Sequence, residues 1–157
     1  MDSSFRFAQV TTMREESTYP YNGYENYCYE GQYAPTNITV KTYSDVTIDS
    51  PTQLKAAVFQ QPVSAAIDAD SQVFQFYESG IITSLDCGVY LDHGVLVIGY
   101  GTDTNKQTNF TIDYWLVKNS WGSFWGDKGY VKIERNSGQP RGMCGILSAP
   151  PSYPTMA

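Results

Sequence analysis

Apolar positions in this chain recur with a short period and are interrupted often by glycine, proline and polar clusters. The longest apolar run, GVLVIGY from Gly94, is followed by a polar loop at 102–112 and two further strand-like segments, YWLVKNS and GYVKIE. An apolar run this short predicts a strand buried on both faces. Upstream, Val63, Ala65 and Ile67 alternate with Ser64, Ala66 and Asp68, which is the period-2 pattern of a half-buried strand. Helical signals are fewer. Ser50-Pro51-Thr52-Gln53 combines a capping serine, a proline suited to the first helical position and a glutamine placed to complete a capping box. Leu54, Ala57 and Val58 extend it as an apolar stripe that stops before Pro62. Asp70 is placed to cap a second short helix through Val73, Phe74 and Tyr77, closed by Gly80. Residues 17–35, STYPYNGYENYCYEGQYAP, lack periodicity and read as an extended tyrosine-rich loop. The C-terminal SAPPSYPTMA holds too many prolines for helix or central strand, which predicts an extended surface segment. The sum is an α+β chain: an antiparallel, β-barrel-like sheet with one or two short helices.

Composition supports strands and turns. The 157 residues have the length of one domain, with 15% aromatics, 13 tyrosines and 13 glycines. Charged residues are 17%, below the usual quarter, and the net charge of −6 argues against a nucleic-acid partner, since phosphate binding needs clustered Lys and Arg. No apolar stretch approaches the roughly 20 residues needed to span a bilayer, so no membrane partner is expected. The opening MDSSFRFAQVTTM shows no basic segment followed by an apolar one, and no secretory signal is read there. Three cysteines, Cys28, Cys87 and Cys144, form no C-x-x-C pair and accompany a single histidine, so neither a metal site nor another cofactor is expected. Two sequons, at Asn37 and Asn109, suit a chain that meets an oxidising, secretory environment. Three reduced thiols in a cytosolic core remain the alternative on cysteine usage alone.

The sole histidine, His93, opens the apolar run within LDHGVLVIGYG, and Asn119 follows 26 residues later in YWLVKNSWGSFWGDKGY, which holds all three tryptophans. A general-base histidine needs one ring nitrogen facing a nucleophile and the other held by an acceptor. An asparagine side-chain oxygen can be that acceptor, and Trp121 can keep water from competing for the bond.

These blocks, with STYPYNGYENYC, QQPVSAAID, FQFYESGI and MCGILSAPPSYPTMA, resemble the second half of the papain family of cysteine peptidases, in its cathepsin L-like branch, over roughly residues 16–157. The resemblance implies a papain-like right-hand domain over 34–157 with a crossing C-terminal tail. Residues 1–33 would be a remnant of the left-hand domain's edge, that helical domain being otherwise mostly absent. It implies His93 as catalytic base, Asn119 as its orienting partner, Trp121 as the shield of that pair and Trp125 as an aromatic lining on the leaving-group side. Ala66, Leu91, Asp92 and Ala149 match substrate-binding positions, whose small and aliphatic walls suit bulky apolar residues of a polypeptide substrate. Cys87 and Cys144 match a disulfide, and Cys28 matches a cysteine whose partner lies in the left-hand domain. Protein inhibitors of the family are implied partners, and a lysosomal or secreted location is implied for the full-length protein.

The family carries its nucleophile in C-G-[SA]-C-[WY], with the histidine about 130–150 residues downstream. No such motif occurs here, and it is expected on the order of 40–60 residues before Met1, in a missing N-terminal half or a second chain. No G-x-S-x-G elbow offers a serine instead. The reading is therefore a C-terminal part of a thiol endopeptidase. A catalytically inactive binding or regulatory relative is the alternative.

Overall fold

The computed structural model describes residues 1–104 and 109–156. The chain groups into two compact units, one of residues 1–44 with 154–157 and one of residues 45–153. The first holds helix α1 (Asp2–Val10), the tyrosine-rich loop with one 3-10 turn, and strand β1 (Val40–Asp45) up to Ser44. Helix α1 was not foreseen, because only Ala8 of it is buried and it carries no side-chain cap. Arg6 donates to the Tyr43 hydroxyl at 3.0 Å and Gln9 to the Lys41 carbonyl at 3.0 Å, which tie helix to strand.

The second unit contains helix α2 (Pro51–Gln60), strand β2 (Val63–Ile67), helix α3 (Gln72–Gln75) and strand β3 (Ile81–Ile82). Strands β4 (His93–Thr104), β5 (Thr111–Lys118) and β6 (Tyr130–Glu134) follow, and β7 (Ser152–Met156) begins there. Their sheet order is β7-β2-β4-β5-β6-β3. All registered pairs are antiparallel except β3 with β6, which is parallel. A mainly antiparallel sheet with short helices is what the sequence pattern predicts.

Local sequence explains the best-formed elements. In α2 the Ser50 side chain accepts from the Gln53 amide at 3.4 Å, and Leu54, Ala57 and Val58 are all buried. The reciprocal half of the capping box is not made, because Gln53 Oε1 takes the Thr47 amide at 3.2 Å instead. Replacing Ser50 by alanine is expected to cost about 1 kcal/mol of stability, seen as a fall of a few degrees in Tm by circular dichroism. Strand β2 buries Val63, Ala65 and Ile67 as the alternation predicts. These residues, with Leu54, Phe74, Val95, Val97, Trp115, Val117, Val131, Ile133 and Ile146, form the core of the second unit.

Four expectations need correction. Helix α3 is capped by Ser71 rather than Asp70 and spans one turn, since Gly80 and Tyr77 belong to the following turn where the Tyr77 hydroxyl donates to the Gly80 carbonyl. Strand β4 buries only Val95 and Val97 of its apolar run; Leu96 and Ile98 are half-covered, so one face alone meets the core. The strands reach into the stretch read as a loop, with Thr102 opposite Asp113 and Thr104 opposite Thr111. Backbone pairing and the Thr102 hydroxyl donating to Asp113 at 2.7 Å sustain it, with Ile112, opposite Asp103, as its apolar side chain. Residues 105–108 lie outside the described residues. Finally, the proline-rich end is strand β7: Pro151 and Ser152 are buried, and the registered pair with β2, Ser64 with Ser152, falls between Pro151 and Pro154.

Candidate active site

His93 is the first residue of β4 and pairs with Ile67 of β2, while Asn119 directly follows the last residue of β5. Antiparallel pairing of β4 with β5 brings the start of one strand to the end of the other. His93 Nε2 and Asn119 Oδ1 thus stand 2.7 Å apart. The same Oδ1 accepts the Ser120 amide at 2.7 Å, which fixes it as the carbonyl oxygen. An oxygen can only accept here, so Nε2 carries the proton and Nδ1 is left as the nitrogen able to exchange one. Asn119 is buried, and its backbone N–H donates to the Gly129 carbonyl at 3.0 Å. The Asn119 backbone is therefore held at the strand end, while its side chain is held through Oδ1 by His93 and the Ser120 amide.

A cluster of four aromatic rings packs on one side of the imidazole, two of them in contact with it. Trp121 lies 5.1 Å from the imidazole by ring centroids, Phe74 of α3 stands 5.5 Å from Trp121, and Trp125 stands 5.2 Å from Trp121. Tyr77 closes the group, 5.8 Å from Trp125. Trp125 is anchored through its Nε1, which donates to the Gln75 carbonyl at 2.9 Å. Excluding water from one side of the histidine–asparagine bond strengthens it in a lower local dielectric. The short helix matters here because its buried Phe74 is the floor on which both indoles rest.

The segment leading into His93 is pinned from below. Asp92 Oδ1 accepts the Ala69 amide at 2.8 Å, and the buried Asp68 accepts the Tyr90 amide at 2.7 Å through Oδ2. Each segment thus offers a carboxylate to the other's backbone. Gly88, with φ of +77°, passes so close over Asp68 that a Cβ there would fall 2.2 Å from Oδ2. One residue before it, Cys87 is bonded to Cys144.

A groove of about 480 Å³ opens beside the histidine, lined by Ala69, Asp70, Gln75, Phe76, Asp92, His93 and Trp121. Trp125 does not line it; it stands behind Trp121. Of the other residues read from sequence, Leu91 and Ser148, the neighbour of Ala149, both approach Gly145, and Ala66 pairs with Gly94 on the β2–β4 ladder. None of Ala66, Leu91 and Ala149 borders the groove. Cys28 is exposed and unpaired in the first unit, and Asn37 and Asn109 are exposed. Asp68, Asp70 and Phe76 were not singled out as site residues in the sequence. Only the burial of Asp68 and the exposure of Phe76 mark them, and neither is legible from local pattern.

Comparison with known proteins gives the family. The family model described as papain family cysteine protease matches residues 1–155. The chain is 47% identical over 158 residues to the probable cysteine protease RDL2 of Arabidopsis thaliana, covering 99% of this chain and 41% of that protein. It is 41% identical to vignain of Vigna mungo, covering 98% of this chain and 41% of that one. The chain thus spans about two fifths of the length of these relatives. Among solved structures, the Carica candamarcensis cysteine protease CMS1MS2 in complex with E-64 superposes with a TM-score of 0.87 at 33% identity, covering 98% of this chain and 67% of that one. The proform of the ragweed pollen allergen Amb a 11 gives 0.86 at 32%, covering 100% of this chain and 41% of that one.

Proposed function

This chain belongs to the papain family of cysteine proteases, and on that premise we propose that it is the base-bearing part of a thiol endopeptidase. The observation that carries the reading is the 2.7 Å contact of His93 Nε2 with Asn119 Oδ1, which leaves Nδ1 to face a nucleophile. In this reading the attacking cysteine lies outside the 157 residues. Cys87 and Cys144 are bonded to each other, and Cys28 is exposed in the first unit while His93 lies in the second. An apolar groove of about 770 Å³ within the first unit, lined by Phe5, Phe7, Met13, Ile38, Val40 and Met156 among others, supports a further segment covering it.

The reaction then runs in two halves. The thiolate attacks the scissile carbonyl carbon while the imidazolium, paired with it, donates its Nδ1 proton to the leaving amine as the C–N bond breaks. Water next attacks the thioester carbon and gives a proton to Nδ1, and the acid leaves with thiolate and imidazolium restored. Asn119 holds the ring in the tautomer that both steps require. Leu91, Ala66 and Ala149 form the walls of an apolar pocket on the acyl side, and Trp121, with Trp125 behind it, keeps the ring dry. Polypeptides are the substrates and protein inhibitors of the family are further partners. The full-length protein works in a lysosomal, vacuolar or secreted setting, which the disulfide and the exposed Asn37 and Asn109 support.

The test is hydrolysis by the full-length protein of a fluorogenic peptide with an apolar residue next to the scissile one, abolished by a thiol-alkylating epoxide. No epoxide-sensitive hydrolysis would sink the reading in favour of a non-catalytic relative. Epoxide labelling of Cys28 with loss of activity would overturn the external nucleophile. Asn119→Ala is expected to lower kcat/KM about 10- to 100-fold, the range seen when the orienting partner of a functional histidine is removed. An unchanged rate would show that the ring is held by packing alone.

A further inference from the structure

We propose that the groove beside His93 selects a lysine or arginine at the substrate residue that carries the leaving amine, with Asp70 as the specificity-determining residue. The inference rests on the peptidase reading above. A general acid must stand within hydrogen-bond reach of the nitrogen it protonates. A groove with His93 in its wall therefore receives the residue to which that nitrogen belongs.

Its lining is unbalanced in charge. Asp70 and Asp92 are both present and no lysine or arginine borders the groove. In the reactive state the imidazolium is offset by the thiolate it pairs with, so the two carboxylates set the local sign. Asp92 is already engaged by the Ala69 amide at 2.8 Å and has a positioning task. Among the described residues, Asp70 forms no ion pair. Its side-chain hydrogen bond among the described residues is with the neutral Gln75 amide, 3.5 Å from Oδ1, and the same Gln75 nitrogen donates to the Asp70 carbonyl at 2.7 Å. Gln75 thus fixes the backbone of Asp70 and leaves its charge unspent.

The apolar part of the groove fits the same side chain. Phe76 is 75% exposed and Trp121 41% exposed, both facing the groove at its walls. Lysine and arginine lay their aliphatic stems along apolar surface while the head reaches polar groups, and an aromatic face attracts the cation itself. A short acidic residue would meet two like charges, and a wholly apolar one would leave Asp70 facing it unpaired. Ala69 links Asp70 to the Asp92–His93 junction because its backbone N–H donates to Asp92 Oδ1, so the selecting carboxylate is tied to the base it serves.

The experiment measures kcat/KM of the full-length protease on peptides that differ only at this residue: lysine, arginine, norleucine and glutamate. Norleucine keeps the stem of lysine without its charge. An exposed ion pair predicts about a two- to fivefold advantage of lysine over norleucine, shrinking at high salt. Asp70→Asn should bring that ratio to one, and Asp70→Lys should favour glutamate. Phe76→Ala should lower the rates on lysine and norleucine relative to glutamate at that position. Equal rates on lysine and norleucine with normal hydrolysis, or a ratio unchanged in Asp70→Asn, would overturn the selectivity while leaving the peptidase reading intact. Absence of hydrolysis of every peptide would overturn that reading and this inference with it.

Discussion

Replacing His93 by alanine in the full-length protease is expected to lower kcat/KM by about 10³- to 10⁴-fold, the upper part of the range for a general acid–base group. That corresponds to about 4–5 kcal/mol of transition-state stabilisation. The effect should be larger than for Asn119→Ala because in the proposed mechanism the imidazole acts directly in both half-reactions, whereas the amide only holds it. The loss should fall mainly on kcat, since the ring forms one wall of the groove beside Asp70, Phe76 and Trp121 and those walls remain. A second readout separates catalysis from folding. The rate of thiol alkylation at neutral pH should fall with it, because the cysteine loses the cation that keeps it ionised. His93 is half-buried at a strand start, so Tm should move little. Activity within tenfold of the parent would place the base elsewhere.

Removal of the Cys87–Cys144 bond is the second large effect. The cysteines are 57 residues apart in sequence, and closing a loop of that length restrains the unfolded chain by about 4 kcal/mol. A stability of 5–15 kcal/mol is typical of a domain, so the double Cys87→Ala, Cys144→Ala variant should lose a large part of it. Both sulfurs are buried, and Asp68 donates its amide to the Cys144 carbonyl at 2.8 Å. The bond therefore also fixes the segment that carries Asp68 and the loop that ends in Asp92 and His93. Urea unfolding followed by the fluorescence of Trp115, which is fully buried, should show a midpoint lower by more than about 1 M. Peptide hydrolysis should weaken alongside. A change below about 1 kcal/mol would mean that packing around Phe74 and Ile67 holds this corner without the bridge.

Much of the fold was legible where the signal is local. The alternation at Val63, Ala65 and Ile67, the serine-proline start at Ser50, and the segments YWLVKNS and GYVKIE became strand, helix and strands as their patterns require. Helix α1 and strand β7 were missed for one reason. Neither has an apolar period of its own, and each exists through bonds to residues far along the chain. The over-long helix after Asp70 reflects the same limit, since Tyr77 is buried through a turn and not through continued helix.

The sequence alone determined which side chains are on hand: one imidazole, one asparagine in a tryptophan-rich block, and spacing that resembles a thiol protease. Residue chemistry and local order are properties of the chain, so these could be read without coordinates. Only the tertiary structure decided that Nε2 and not Nδ1 meets Asn119, that Trp121 rather than Trp125 borders the groove, and that Asp70 stands there without an ion pair among the described residues. Those facts depend on how antiparallel strands and a one-turn helix bring distant residues within a few ångströms, and no local pattern encodes that distance.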